Sequence, residues 1–272
     1  MLDIIKNSFK LTNKYIILAT PLILLSLISG LYIIFSSNGN TISLIFAFIL
    51  FFLMLCAFLS GWLFMIKKCI TDDEQEPGAM ISEFPAGVGE YFLPVCGMIV
   101  ISLIIAFCTM AAAYYIGVKA IGDIKEVLQA LSSASSSAEA LKSYLSTLSV
   151  EELVKLNLWN VLLFCTAILT YFVLMFYSPA LFYKTRNPFI ALIKAFKDLF
   201  CRKFFKNLLA FMFVFVTYFV LSIFSAATPS NIFIHFIFTL INFYYMVFAV
   251  VFIYDYYYKN YVQIGANIDT RV

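Results

Sequence analysis

The chain has 272 residues, 63% hydrophobic and only 12% charged, with a net charge of +3. A soluble domain carries about 25% charged residues. The deficit excludes an ordinary water-facing surface, and the small net charge says less about partners than the placement of the charges does.

Leu2–Tyr15 is amphipathic, with Ile4, Ile5, Phe9 and Leu11 set against Lys6, Asn7, Lys10 and Lys14. Lysines before an apolar run resemble a secretory signal. The run that follows is longer than the roughly 7–15 residues of a signal core, and no A-x-A site follows it, so it reads as a retained span. Six apolar stretches without Asp, Glu, Lys or Arg cover about 16–35, 42–66, 91–116, 158–183, 208–227 and 232–254. About 20 apolar residues rising about 1.5 Å each cross a hydrocarbon core about 30 Å thick. The fold class predicted is an all-α integral membrane protein, a single six-span domain over 1–272.

Polar turns at 36–41 and 228–231 make tight hairpins of spans 1–2 and 5–6. Asp72, Asp73, Glu74 and Glu76 after span 2 lack the spacing of a calcium loop and read as a solvated acidic loop. Ala79–Tyr91 is amphipathic but interrupted by Pro85, Gly87 and Gly89, so a broken helix is predicted there. The excursion 117–157 has helical apolar spacing in two pieces, separated by the serine run 132–137. Ser149 and Glu152 then form a capping box leading into span 4. This extracytoplasmic helical insertion, 117–157, is the one piece of size outside the spans, and it reads either as a spacer packed over the bundle or as a surface for a protein partner.

Asn187 suits an N-cap and Pro188 the first helical position. Phe189, Leu192, Ile193, Phe196, Phe200 and Phe204 then follow helical spacing, while Lys194, Lys197, Asp198 and Arg202 gather opposite. A basic amphipathic helix beside a span lies in the interface plane, its lysines meeting anionic phospholipid headgroups. Lys194, Lys197, Arg202, Lys203 and Lys206 are the candidate lipid contacts, and the interleaved apolar face points away from nucleic acid. Tyr256, Tyr257 and Tyr258, with Tyr254 and Tyr261, read as an aromatic belt at the bilayer boundary, as do Trp62 and Trp159. Ser8-Phe9-Lys10, Ser82-Glu83-Phe84 and Ala195-Phe196-Lys197 each precede a span, an echo of a two-span unit used three times.

With the N-terminus inside the cell, 14 of the 18 lysines and arginines lie on cytoplasmic segments. The other four are Lys119, Lys125, Lys142 and Lys155. That bias follows the positive-inside rule and places both termini in the cytoplasm of a cell membrane, in the manner of a bacterial inner-membrane protein.

No catalytic, cofactor or metal motif appears. His235 is the one histidine and has no acidic neighbour in sequence, and the six cysteines form no C-x-x-C pair. The spans carry no ionisable pathway of the kind that ion-coupled transporters need.

Met175–Phe196 combines Pro179 near a span end, a short link, and Ala191-Leu192-Ile193-Lys194-Ala195-Phe196 before a new span. This layout resembles a superfamily of bacterial six-span proteins that includes the membrane domain of some glycerophosphodiester phosphodiesterases. Tyr254-Asp255-Tyr256 is similar to a tyrosine–aspartate signature there, without the arginine that often follows. The resemblance implies paired spans introduced by in-plane helices. It implies no activity, because the family's catalytic residues have no counterparts in this sequence.

The leading expectation is a non-enzymatic membrane protein of lipid organisation, envelope upkeep or assembly of a membrane complex. A permease or channel for a lipid-like or uncharged cargo is the alternative. A headgroup enzyme would have to gather Asp72, Asp73 and Glu83 near Lys194 or Arg202.

Overall fold

The computed structural model describes residues 1–36, 41–72, 76–134, 137–200, 203–227 and 232–263. The hairpin turns read at 36–41 and 228–231 fall largely outside these residues, as do Asp73, Glu74, Cys201 and Arg202. The described chain is helical, with no strand. Its α-helices are α1 Leu2–Lys14, α2 Ala19–Ser36, α3 Thr41–Thr71, α4 Glu83–Ala120, α5 Lys125–Ala134, α6 Ala138–Thr147, α7 Val150–Leu174, α8 Tyr177–Tyr183, α9 Pro188–Phe200, α10 Phe204–Ala227 and α11 Ile232–Tyr257. Short 3-10 turns at Ile16–Leu18 and Pro77–Ser82 precede α2 and α4, and a π-helical turn, Tyr258–Val262, extends α11.

Among the described residues, five helices are long and apolar enough to cross a membrane. The count becomes six if Leu2–Lys14 and Ile16–Gly30, bent by 81°, form one span. The chain is therefore a multi-pass membrane protein built as a helical bundle.

Contacts divide the chain into two units, Met1–Ile101 with Leu174–Val272, and Ser102–Val173. In the first unit the core sits at one end. Burial gathers at the start of α2 and α10 and at the last turns of α3 and α11: Trp62–Ile66 on α3, Ala210 and Phe211 on α10, Val251, Phe252 and Tyr254–Tyr257 on α11. At the opposite end the same helices expose Leu27, Phe46, Phe48, Phe224, Phe233 and Phe236. An apolar surface so continuous is stable against acyl chains and not against water.

The helix expected to break at Pro85, Gly87 and Gly89 does not. α4 starts at Glu83 and continues past all three residues. Pro85 falls in the first turn, where its missing N–H has no intrahelical partner to lose. Gly87 is needed for contact: a Cβ there would meet the Phe64 Cβ at 2.5 Å and the Gly61 Cα at 3.0 Å. α3 and α4 thus cross glycine to glycine, a proximity that no G-x-x-x-G within either helix announces.

In the second unit the capping box forms as read. The Glu152 carboxylate accepts from the Ser149 backbone N–H at 2.8 Å, and the Glu152 N–H donates back to the Ser149 hydroxyl at 3.2 Å. Trp159 is buried beside Tyr114, and its indole N–H donates to the Gly122 carbonyl at 3.0 Å. Gly122 has φ +106°, a conformation that favours glycine. Trp62 is likewise buried, donating to the Leu18 carbonyl at 2.8 Å. Both indoles are held by protein carbonyls, unlike the boundary-facing rings expected.

Candidate functional site: a polar seam at the packed end

The packed end of the first unit holds a polar seam assembled from α1, α8, α9, the start of α10 and the end of α11. Asn207, in the first turn of α10, is its hub. The side-chain amide donates to the Asp198 and Leu199 carbonyls at 3.1 and 2.8 Å, satisfying C-terminal carbonyls of α9. Its oxygen accepts from the Tyr256 and Tyr261 hydroxyls at 3.0 and 2.8 Å. All four hydrogen bonds open to an asparagine side chain are made, in a residue with no solvent exposure.

A charged pair lies beside it. Lys184 donates to Asp198 Oδ2 at 2.7 Å, and the Tyr257 hydroxyl donates to the same oxygen at 2.6 Å. The ammonium also sits 5.2 Å from the Tyr257 ring centroid. Charge-assisted bonds of this kind are short and strong once water is displaced. Ser178 of α8 accepts from the Tyr254 hydroxyl at 3.1 Å.

Asp255 is the second anchor and is only 1% exposed. Its Oδ2 accepts from Asn7 at 3.0 Å, from Lys259 at 2.9 Å and, at 3.5 Å, from Ser8. Its Oδ1 has no partner among the described residues, and neither do the buried hydroxyls of Tyr177 and Tyr183. At the periphery Lys67 donates to the Tyr91 hydroxyl at 3.0 Å, Tyr91 stacks on Phe182 at 4.2 Å, and Arg186 pairs with Glu90 at 2.6 Å.

These placements revise the list of lipid contacts. Tyr256 and Tyr257 are buried, and their hydroxyls are spent on Asn207 and Asp198. Neither offers the wet hydroxyl of a boundary tyrosine, because α9 and α10 close over the end of α11. Tyr258 is half-buried, its ring 5.2 Å from that of Tyr183. Lys203 donates to the Asn260 carbonyl and side-chain oxygen at 3.2 and 3.1 Å. Burial first, and Lys206 second, hold its ammonium below the usual lysine value. Lys194 reaches only the Lys184 carbonyl, at 3.5 Å. Lys197 and Lys206 are exposed. Arg202 lies outside the described residues.

The start of α9 forms as read, but the helix ends at Phe200, with Phe204 opening α10, and Asp198 turns into the seam. The Asn187 side-chain oxygen accepts from the N–H groups of Phe189 and Ile190 at 3.0 and 3.2 Å, and Pro188 opens the helix. Its buried stripe is Ala191, Ala195 and Leu199, whereas Phe189, Ile193, Phe196 and Phe200 are exposed.

Of the acid–base set that a headgroup enzyme would use, Asp73 and Arg202 lie outside the described residues. Asp72 is taken by Lys68 at 3.2 Å and Lys194 by a carbonyl. No group of three potential metal ligands occurs among the described residues. Cys56 and Cys96 are free thiols lying side by side on α3 and α4, a contact their separation in sequence conceals.

Sequence reading passed over Asn207, Asp198, Asp255 and Ser178 as seam residues. The available signal was a lone amide or carboxylate amid apolar and tyrosine residues. Compared with family models, with curated proteins and with solved structures, the chain matches none.

Proposed function

We propose that the chain is a six-span protein of a bacterial inner membrane, with both termini cytoplasmic, that serves lipid organisation, envelope upkeep or assembly of a membrane complex without catalysing a reaction. The carrying observation is the exposed edge of α9. Phe189, Ile193, Phe196 and Phe200 project from a helix whose small residues dock on protein, with Lys197 exposed beside them. A helix so divided suits the headgroup boundary. α1 is bent by 81° from the helical stretch that follows it. The layout agrees with the resemblance to the bacterial six-span superfamily.

Most described serine and threonine hydroxyls within the spans turn back on their own helices, as Ser29 to Leu25, Thr166 to Leu162, Thr217 to Phe213 and Thr239 to His235, while Thr109 and Thr170 also meet across α4 and α7. Groups so occupied favour a packed scaffold over the polar-lined path that a permease would need.

Nitroxides placed at 196 and 197, in a chain with its native cysteines replaced and reconstituted in liposomes, test this reading. Position 196 should be reached by oxygen and shielded from a water-soluble nickel chelate, with the reverse at 197. Equal chelate access at both positions would remove α9 from the boundary and with it the proposal.

A further inference from the structure

An apolar groove of about 480 Å³ lies between α2 and α11, roofed by α1. Ile16, Ala19 and Ile23 form one wall, and Leu240, Ile241 and Val247 the other. Two of the three hydroxyls that border it, those of Thr12 and Tyr244, are already used. Thr12 donates to the Ser8 carbonyl at 2.8 Å and Tyr244 to Asn13 at 2.8 Å. An occupant would therefore be held by apolar contact.

The roof sets its other end. α1 crosses α11 with Ser8, Leu11 and Thr12 buried, Ile5 packed on the Tyr245, Phe248 and Ala249 cluster, and Phe9 edge-on to Tyr244 at 6.3 Å. Lys6 and Lys10 are one helical turn apart on the side away from that buried face. They are exposed and have no partner among the described residues. An uncharged slot bordered by Thr12 of a helix whose outer face carries two cations is complementary to an amphiphile with a negative head.

We infer that this groove holds an acyl chain of an anionic phospholipid whose headgroup meets Lys6 and Lys10. The inference rests on the membrane reading above and names the lipid class that α1 would retain. Groove volume suits a single chain of ordinary ligand size, and each lysine adds attraction for the phosphate.

The test uses the purified full-length chain in native mass spectrometry, with phosphatidylglycerol and phosphatidylcholine offered separately. One phosphatidylglycerol should remain bound under activation that strips phosphatidylcholine. Lys6→Gln with Lys10→Gln should weaken that retention by about 30-fold, from two lysine–headgroup contacts. Filling the slot with Ile241→Trp should abolish retention of either lipid. Ile23→Trp, from the opposite wall, repeats the test should the first variant fold poorly; both positions are partly exposed and tolerate bulk. Equal retention of the two lipids, or retention unchanged in both tryptophan variants, overturns the inference. So does a dimer mass that the tryptophans abolish, since the occupant is then a second copy. If depth at 196 and 197 comes out as expected while retention does not, the groove alone fails and the membrane reading stands.

Discussion

α1 and α9 carry similar triplets, Ser8-Phe9-Lys10 and Ala195-Phe196-Lys197, in the same register and are fastened by different residues. Ser8 and Ala195 are fully buried, Phe9 and Phe196 are 52% and 51% exposed, and Lys10 and Lys197 face outward. The third echo does not share this register: Ser82 is exposed, and it ends a 3-10 turn instead of lying within an α-helix. α9 docks through alanines and leucine, capped by Asn187 at its start and by Asn207 at its end. α1 bonds through Asn7 and Ser8 to the buried Asp255, and packs Ile5 and Phe9 on α11. Asp255 bonds α1 and not α9, whereas Asn207 caps α9 and Ala195 packs it, so the two should fail under different substitutions.

Asn207→Ala should have the largest effect. It orphans two α9 carbonyls and two tyrosine hydroxyls at once, and each buried unsatisfied group costs about 1–3 kcal/mol. A loss of about 4 kcal/mol in detergent-solubilised melting is expected, without selective exposure of α1. Asp255→Ala should cost about 2–3 kcal/mol by stranding Asn7, Ser8 and Lys259. Its signature is local: trypsin should reach Lys6, Lys10 and Lys14 far sooner than in the parent chain, while cleavage at Lys197 keeps its rate. Uniform acceleration at both helices would show that α1 has no separate fastening.

The starts of α7 and α9 were legible because their signals are local. Asn187 before Pro188, and Ser149 three residues before Glu152, specify caps that the chain then makes. The tyrosines of α11 were not legible, because a ring near a span end looks the same whether lipid or a neighbouring helix covers it. Tyr256 and Tyr257 find their partners at Asn207 and Asp198, 49 and 59 residues away. Nothing within one turn of either tyrosine announces such a bond. The Pro85–Gly89 stretch misled for a related reason: helix breakers were weighed by propensity, while their position in the first turn and at a helix crossing decided the outcome.

Ala195→Leu sharpens the contrast on the packing side. Ala195 has no exposure, so three extra carbons must displace a neighbour, at about 1–3 kcal/mol. Ser8→Ala, at the matching place in α1, adds no volume and removes only a 3.5 Å contact to Asp255. It should cost well under about 1 kcal/mol, because Asn7 and Lys259 still hold the carboxylate.

The smallest effect belongs to the α9 cap. Asn187 accepts from two N–H groups at an exposed helix start, so water replaces part of what is lost. Substitution of an N-cap asparagine by alanine costs typically about 1 kcal/mol. Pro188 keeps the first helical φ in place, and Ala191, Ala195 and Leu199 remain buried, so α9 should stay docked. Asn187→Ala should therefore lower the melting temperature slightly and leave the rate of trypsin cleavage at Lys197 unchanged. Asn187→Ser, which restores a side-chain acceptor, should recover most of the loss. If Asn187→Ala instead releases α9 to trypsin, the helix depends on its cap as α1 depends on Asp255, and the distinction between the two helices disappears.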